Sequence, residues 1–154
     1  MIKILFVCHG NICRSPMAEF VMRDMVEKAG LSGQFTLASA ATSAEELGNP
    51  VYPPVQRLLA SHGISCVGKT ARQLRPGDYA AWDLFIGMDN ANLRNMKRLF
   101  GSDPQGKVHA LLEYTDRPGE VADPWYTRDF EATWRDVRAG CAGLLRRLTD
   151  GAKE

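Results

Sequence analysis

The sequence lacks the features that mark several special classes of protein. It contains no run of roughly 20 apolar residues, so no transmembrane helix is expected. Lys and Arg number 19 and Asp and Glu number 18, so the overall charge gives no reason to expect a nucleic acid or an anionic membrane as a partner. There is also no internal repeat and no low-complexity tract. These absences favour an ordinary globular protein.

Cysteine is scarce, with residues only at positions 8, 13, 66 and 141. The apolar stretch at the N-terminus is short and has no small-residue cleavage site after it, which predicts a buried strand rather than a signal peptide. We therefore expect a cytoplasmic protein with free thiols, and the even number of cysteines does not indicate a disulfide framework. No C-x2-C pair is present, so no metal site is expected.

The composition is typical of one compact domain. The chain has 154 residues, of which 45% are hydrophobic and 24% are charged. This length predicts a single domain over residues 1–154. A chain of this size buries about two thirds of its unfolded surface, so it can fold without disulfides or metal.

Hydrophobic periodicity predicts strands that alternate with helices. The predicted strands are residues 2–8, 35–39, 83–88 and 107–111. The predicted helices are a first one with Ser15 as N-cap and Gly30 as stop, then 54–62, 89–100 and 127–148, with loops at 40–53 and 112–125. This order indicates a parallel α/β sheet with helices on both faces. Ligands bind such sheets beyond the carboxyl ends of the strands, which are the turns after residues 8, 39, 88 and 111.

The first of these turns contains a C-x5-R spacing, from Cys8 to Arg14. A loop of this length before a helix can point successive backbone N–H groups inward, and this arrangement binds a tetrahedral dianion. Gly10 and Asn11 tolerate the positive φ that a tight loop requires. Arg14 adds a planar fork for two phosphate oxygens. The same groups would stabilise the thiolate of Cys8, so one loop supplies an anion site and a nucleophile.

An ordinary interpretation of this spacing has to be weighed. C-x5-R occurs often by chance, and a cysteine at the end of a buried strand is usually a core residue. The functional interpretation is favoured by the context, since the spacing follows an apolar strand, contains Gly10 and Asn11, and runs into Ser15-Pro16 at a helix start.

The segment C-H-G-N-I-C-R-S-P-M-A-E, residues 8–19, resembles the signature of the low-molecular-weight protein tyrosine phosphatases. Further similar segments follow in the family's order over essentially the whole chain, ending with Asp-Pro-Trp-Tyr at residues 123–126. The resemblance implies a four-stranded parallel sheet with flavodoxin-like winding. It also implies hydrolysis of phosphotyrosine monoesters, in proteins or small aryl phosphates, without a cofactor or metal.

The resemblance implies three catalytic residues. Cys8 would attack phosphorus and form a phosphocysteine, Arg14 would bind the phosphoryl group, and Asp123 would protonate the leaving phenol. Asp83, Asp89 and Asp116 have the same chemistry, and only the Pro-Trp-Tyr that follows Asp123 singles it out.

The remaining site residues also follow from the resemblance. The phosphate-binding loop would comprise His9, Gly10, Asn11, Ile12, Cys13 and Ser15, with Ser39 behind it to help hold its shape. The cleft walls would be formed by Glu45, Leu47, Tyr52, Trp125 and Tyr126. A slot between aromatic faces favours a phenyl ring and keeps a short phosphoserine away from Cys8. Glu45 stands where many members of the family carry an aromatic residue. The resemblance assigns no role to residues 68–70, which include Lys69.

Cys13 has two interpretations. In the family, a cysteine at this position can form a reversible disulfide with the nucleophile, which would protect Cys8 from overoxidation. The alternative is a small residue that fills a gap. Cys66 and Cys141 are expected to be structural.

Two other functions compete with a phosphatase. Residues 63–70 match the Walker A pattern G-x4-G-K-[ST], which would make the protein a P-loop nucleotide binder. A helix is predicted before this segment and Pro76 follows it closely, whereas a P-loop needs a strand before it and a helix after it. An arsenate reductase of the same fold would need additional closely spaced cysteines, and Cys66 and Cys141 are far apart in the sequence.

Overall fold

A four-stranded parallel sheet lies at the centre of the protein, in the order β2-β1-β3-β4. The structure is a computed structural model and describes residues 1–152; the last two residues of the predicted domain lie outside this part. The strands are β1 (Ile2–Cys8), β2 (Phe35–Ala41), β3 (Leu84–Gly87) and β4 (Val108–Ala110). The predicted fold class, a parallel sheet with helices on both faces, is confirmed.

Six α-helices are present in the described residues. They are α1 (Arg14–Lys28), α2 (Pro53–Ser61), α3 (Asp78–Ala81), α4 (Asn90–Phe100), α5 (Pro124–Thr127) and α6 (Phe130–Ala152). Short 3-10 helices occur at Ser32–Gln34 and Leu111–Tyr114. The four predicted helices exist with shifted ends, and α3 and α5 were not predicted because four residues are too few to show a helical period. No helix within residues 1–152 is long and apolar enough to cross a membrane.

Strand β1 is buried on both faces of the sheet, which explains its continuous apolar sequence. Ile4, Phe6 and Cys8 join the core cluster that contains the buried faces of α1 and α6. Leu5 and Val7 join the opposite cluster, which includes residues of β3 and α4. Because side chains alternate along a strand, Cys8 ends β1 on the side of α1, the helix that begins just after it.

The start of α1 differs from the prediction. Ser15 is not the N-cap; the helix begins at Arg14, and Cys13 occupies the cap position without a side-chain hydrogen bond to the backbone. The physical reason is that the loop turns its N–H groups toward the sulfur of Cys8, and the Ser15 hydroxyl also lies beside that sulfur. Contacts to the Cys8 sulfur therefore take the place of an ordinary helix cap.

The loop that carries Asp123 is fastened to the carboxyl end of the sheet. The Val121 N–H donates to the Met88 carbonyl at 2.8 Å. The 3-10 helix Leu111–Tyr114, just before this loop in the chain, packs closely on α6, and a Cβ at Gly143 of α6 would collide with the Tyr114 carbonyl oxygen. Glycine therefore permits this close packing, and the Asp123 segment lies beside the loop that follows β1.

Candidate active site

Three donors surround the sulfur of Cys8, at the end of β1. The backbone N–H groups of Asn11 and Ser15 lie 3.3 Å and 3.4 Å from Sγ. The Ser15 hydroxyl oxygen lies 3.0 Å from it. Because Ser15 Oγ accepts a hydrogen bond from Asn11 Nδ2 at 2.7 Å, its own proton is available for the sulfur. Donors in this arrangement stabilise a thiolate.

Asn11 holds the loop in its tight conformation. Its φ is +60°, in the left-handed region, and its side chain is buried. Its amide nitrogen donates to Ser15 Oγ and, at 2.9 Å, to Ser39 Oγ. Its amide oxygen accepts from the Arg72 N–H at 3.2 Å. These bonds fix both the amide orientation and the unusual backbone, and they bring together three side chains that the resemblance had grouped.

The Arg14 guanidinium is almost completely buried and donates hydrogen bonds to a carboxylate oxygen and a carbonyl oxygen. Nη1 donates to Asp89 Oδ2 at 2.8 Å and to the Val121 carbonyl at 3.0 Å. Nη2 lies 3.5 Å from Asp123 Oδ2. Burial acts to lower the pKa of Arg14, but the nearby Cys8, Asp89 and Asp123 outweigh it and raise the pKa above its usual value. The cation is therefore retained inside the protein.

Asp89 is a residue whose role the sequence did not show. It had been considered only as a rival general acid, yet both of its oxygens are engaged: Oδ2 binds Arg14, and Oδ1 caps α4 by accepting from the Asn92 N–H at 2.8 Å. Asp116 is exposed and does not line the cavity above Cys8, whereas Asp123 does. Of these three carboxylates, Asp123 is the one placed to reach a bound molecule.

A cavity opens above the sulfur of Cys8, between the loop after β1 and the Asp123 segment. The lining residues are Cys8, His9, Gly10, Ile12, Cys13, Arg14, Glu45, Glu46, Asp123, Trp125 and Tyr126. Glu46 was not predicted, although it neighbours the predicted Glu45. A Cβ at Gly10 would lie 3.3 Å from Glu46 Cγ, so a side chain there would crowd the entrance.

The predicted cleft walls separate into two groups. Trp125 and Tyr126 line the cavity and are 46% and 82% exposed, and Glu45 lies opposite and pairs with His9 at 3.0 Å. Tyr52 lies outside the lining, with its ring centroid 5.1 Å from that of Trp125. Leu47 is also outside the lining and is exposed.

Cys13 lines the same cavity, and its side chain is buried. Burial, with the added effects of Cys8 and Asp123, raises the pKa of the Cys13 thiol to about 12. Cys13 therefore stays protonated at neutral pH and does not compete with Cys8 as a nucleophile. Cys141 is buried in the core on α6, and all four cysteines are free in this structure.

Comparison with known proteins agrees with this geometry. The model of the low molecular weight phosphotyrosine protein phosphatase family matches residues 3–154. The chain belongs to this family. It is 39% identical, over 94% of both chains, to a Bacillus subtilis protein named low molecular weight protein-tyrosine-phosphatase YfkJ.

Solved structures of the family have the same fold. The crystal structure of YfkJ from Bacillus subtilis superposes with a TM-score of 0.95 at 37% identity, covering 98% of this chain and 96% of that one. A Drosophila arginine phosphatase superposes with a TM-score of 0.88 at 28% identity, covering 96% of this chain and 98% of that one. The phosphatase fold therefore extends over nearly the whole chain.

The P-loop alternative does not fit the structure of this family member. Gly63 follows α2 with a φ of +76°, and residues 64–70 contain a turn and an isolated bridge but no helix and no strand. A P-loop follows a strand and leads directly into a helix, whereas this segment follows the helix α2 and the next helix, α3, begins only at Asp78. The Walker A match is a coincidence of sequence.

Proposed function

We propose that the protein hydrolyses phosphotyrosine monoesters through a phosphocysteine at Cys8. The observation that carries this proposal is the Cys8 sulfur at the base of a cavity, with three donors around it and Arg14 and Asp123 beside it. In the first step the thiolate forms an S–P bond while the bond from phosphorus to the phenol oxygen breaks. In the second step water forms a P–O bond, the S–P bond breaks, and phosphate leaves with the Cys8 thiolate restored.

Arg14 and the loop N–H groups have an electrostatic role in both steps. The bonds from Asp89 and Val121 orient the guanidinium before substrate arrives. The cavity offers this cation and the backbone of residues 9–15 to the equatorial oxygens, where negative charge is spread in the transition state. Preorganised groups of this kind stabilise the transition state without having to reorient during the reaction.

Asp123 has the proton-transfer role. A tyrosine oxygen, with a pKa of about 10, leaves poorly as an anion, so it needs a proton as the P–O bond breaks. The carboxyl of Asp123 lines the cavity and lies at the N-terminus of α5, where it accepts from the Trp125 N–H at 3.0 Å. It would give its proton to the phenol and then, as a carboxylate, take a proton from the attacking water.

The cavity walls favour an aryl substrate. Trp125 and Tyr126 present apolar faces on one side of an entrance that leads down to Cys8. A phenyl ring can lie against these faces while its phosphate reaches the sulfur. The substrates we propose are phosphotyrosine proteins and small aryl phosphates in the cytoplasm, and we propose neither a nucleic acid nor a membrane as a partner.

Hydrolysis of a nitrophenyl phosphate in EDTA tests the proposal. Every step above uses groups of the chain itself, so we expect full turnover in the chelator. Cys8→Ser should abolish turnover but keep phosphate binding, because Arg14 and the loop N–H groups remain. Cys66→Ala removes a thiol outside the cavity and is the matched control, which should stay active. Substantial turnover by Cys8→Ser would disprove the nucleophile assignment.

Matched phosphopeptides test the substrate class. Three peptides of one sequence carry phosphotyrosine, phosphoserine or phosphoarginine at the same position. The aromatic walls predict a large excess of kcat/KM for phosphotyrosine. Comparable values for phosphoserine would remove the argument from the walls, and a higher value for phosphoarginine would assign the protein the activity of its Drosophila structural relative.

A further inference from the structure

An arginine with an unusual backbone conformation follows the Asp123 segment. Arg128 ends α5 with a φ of +59°, in the left-handed region, and its N–H donates to the Pro124 carbonyl at 2.9 Å. Glycine usually takes this position after a helix, because other residues are strained there. Among the non-glycine residues that the structure describes, the only other one with a positive φ is Asn11, in the phosphate-binding loop. Strain of this kind is concentrated at functional sites, so the side chain of Arg128 is a candidate for a role of its own.

Aromatic side chains hold the guanidinium of Arg128. Its Nη2 donates to the Tyr52 hydroxyl oxygen at 2.9 Å, and its Cζ lies 5.4 Å from the ring centroids of both Tyr52 and Phe130. The Tyr52 ring also packs against Trp125, which lines the cavity, with 5.1 Å between the ring centroids. These contacts place a cation beside the aromatic wall of the cavity.

The positive charge of Arg128 has no carboxylate partner. No acidic side chain within residues 1–152 forms an ion pair with it, whereas the buried Arg14 is bound to Asp89. Arg128 is exposed to solvent, yet its charge acts on the cavity: burial raises the pKa of Cys13, and both Arg14 and Arg128 act to lower it. An exposed guanidinium held at an entrance can bind a carboxylate that arrives with the substrate.

We propose, on the basis of the function proposed above, that Arg128 binds a carboxylate side chain beside the phosphotyrosine of a peptide substrate and that Tyr52 positions it. The phosphate would lie on Cys8 and the phenyl ring against Trp125. A neighbouring residue of the peptide would then pass over the outer edge of this wall, where Arg128 lies. Tyr52 was predicted to form a cleft wall, and in this role it acts from outside the cavity lining.

The carboxylates of the rim lie at a different part of the entrance. Residues 45–46, both glutamate, lie beside residues 9–10, whereas the Tyr52 N–H donates to the Ile12 carbonyl at 2.9 Å. Opposite charges are therefore held at two parts of the entrance, and a peptide meets them at different positions. Two carboxylates outnumber one guanidinium, so a basic peptide is still favoured as a whole. Arg128 changes the preference only at the peptide position that reaches it.

The experiment measures the affinity of phosphotyrosine peptides for the Cys8→Ser protein, which binds without turnover. Peptides of one sequence carry a single Glu, or Gln as its neutral match, at each of the two positions on either side of the phosphotyrosine. At one or more of these positions the Glu peptide should bind about twofold to fivefold more tightly than its Gln match. Arg128→Gln, made in the same protein, should bring this ratio to one or below, and added salt should reduce it.

Two further variants separate a local contact from a change in overall charge. Tyr52→Phe keeps the ring but loses the hydroxyl that accepts from the guanidinium, so the ratio should fall part of the way toward one. Arg147→Gln removes an equal charge from an exposed position on α6. Arg147 is a matched control, because its Cζ lies 6.0 Å from the Tyr114 ring centroid and it is outside the cavity lining. This variant should keep the wild-type ratio.

A ratio of one or less at every peptide position would overturn the proposal, and so would a ratio above one that Arg128→Gln leaves unchanged. If Arg128→Gln does not fold, Tyr52→Phe decides in its place. Each ratio compares two peptides on one protein, so a general loss of affinity or stability cancels. Binding needs no turnover, so a wild-type protein that hydrolysed no phosphotyrosine would contradict the proposed function and leave this result intact.

Discussion

The phosphate-binding loop, residues 8–15, and the cleft rim, residues 45–46 and 125–126, line one cavity but differ in structure. Asn11, Arg14 and Ser15 are buried and hydrogen-bonded within the loop or to segments distant in sequence. The rim is more exposed, apart from the half-buried Glu46, and its side-chain polar contacts are few: Glu45 pairs with His9, and Glu46 accepts from the Asn49 amide. The loop is therefore held in one geometry by many groups, and the rim is held by few.

This difference implies that the loop governs the rate of reaction, whereas the rim governs which substrate is preferred. In the proposed mechanism the loop groups surround phosphorus, so a change that displaces them should affect turnover of every substrate. A change in the rim alters only what lies beside the phosphate, where solvent screens charges and side chains can adapt. The predictions below test this contrast.

The largest effect is expected for Arg14→Lys. Lysine keeps the charge but loses the planar fork that binds Asp89 and Val121 and that we propose also binds two phosphate oxygens. We expect kcat/KM for a nitrophenyl phosphate to fall by about 100-fold or more. Arg57→Lys, at an exposed position on α2, is the control and should have wild-type kinetics. A loss of only a few-fold at Arg14 would contradict its role.

Asp123→Asn should depend on the leaving group. The first step should slow by about 100-fold or more for phosphotyrosine, whose phenol needs a proton, and much less for a nitrophenyl phosphate, whose leaving group is stable as an anion. Burst kinetics should be used, since we propose that Asp123 also acts in the second step. Equal losses for both substrates would assign the acid elsewhere, and Asp89 and Asp116 would be the next residues to replace.

Oxidation tests Cys13 within the loop. Peroxide should inactivate the enzyme reversibly, and Cys13→Ser should make the loss harder to reverse because no thiol remains to resolve the sulfenic acid of Cys8. Burial raises the pKa of Cys13 to about 12. Its thiolate fraction therefore grows about tenfold per pH unit between roughly pH 7 and pH 9, and disulfide formation should accelerate in parallel. Peptide mapping that finds no disulfide between residues 8 and 13 would refute this.

The smallest effect is expected at the rim. Glu45 and Glu46 place two carboxylates at the entrance, so phosphotyrosine peptides with basic neighbours should be preferred over those with acidic neighbours. Replacing both residues by lysine should change the ratio of kcat/KM for the basic peptides over the acidic peptides by about twofold to fivefold, in favour of the acidic peptides. Added salt should reduce this change. Glu131→Lys, exposed on α6, serves as the control. An unchanged ratio of kcat/KM in the double variant would show that the rim does not discriminate between peptides by their charge.

Some features of the fold could be read from local sequence and others could not. The strands and the longer helices were predictable, because buried strands and amphipathic helices leave a periodic signal. The two four-residue helices leave none. Ser15 was assigned to the wrong local role because a serine before a proline looks like an ordinary cap; in the structure its hydroxyl and N–H both lie beside Cys8.

The sequence by itself determined the parallel α/β class and the segment from Cys8 to Arg14, since a short loop between a buried strand and a helix has few conformations. Only the tertiary structure decided that Asp89 holds Arg14 and that Lys69 and Glu19 lie behind Ser39. These partners are far apart in the chain, and the periodic pattern of each segment does not show which side chains of other segments it meets. Their meeting depends on the paths of loops across the carboxyl edge of the sheet, and those paths are set by packing and hydrogen bonds over the whole domain.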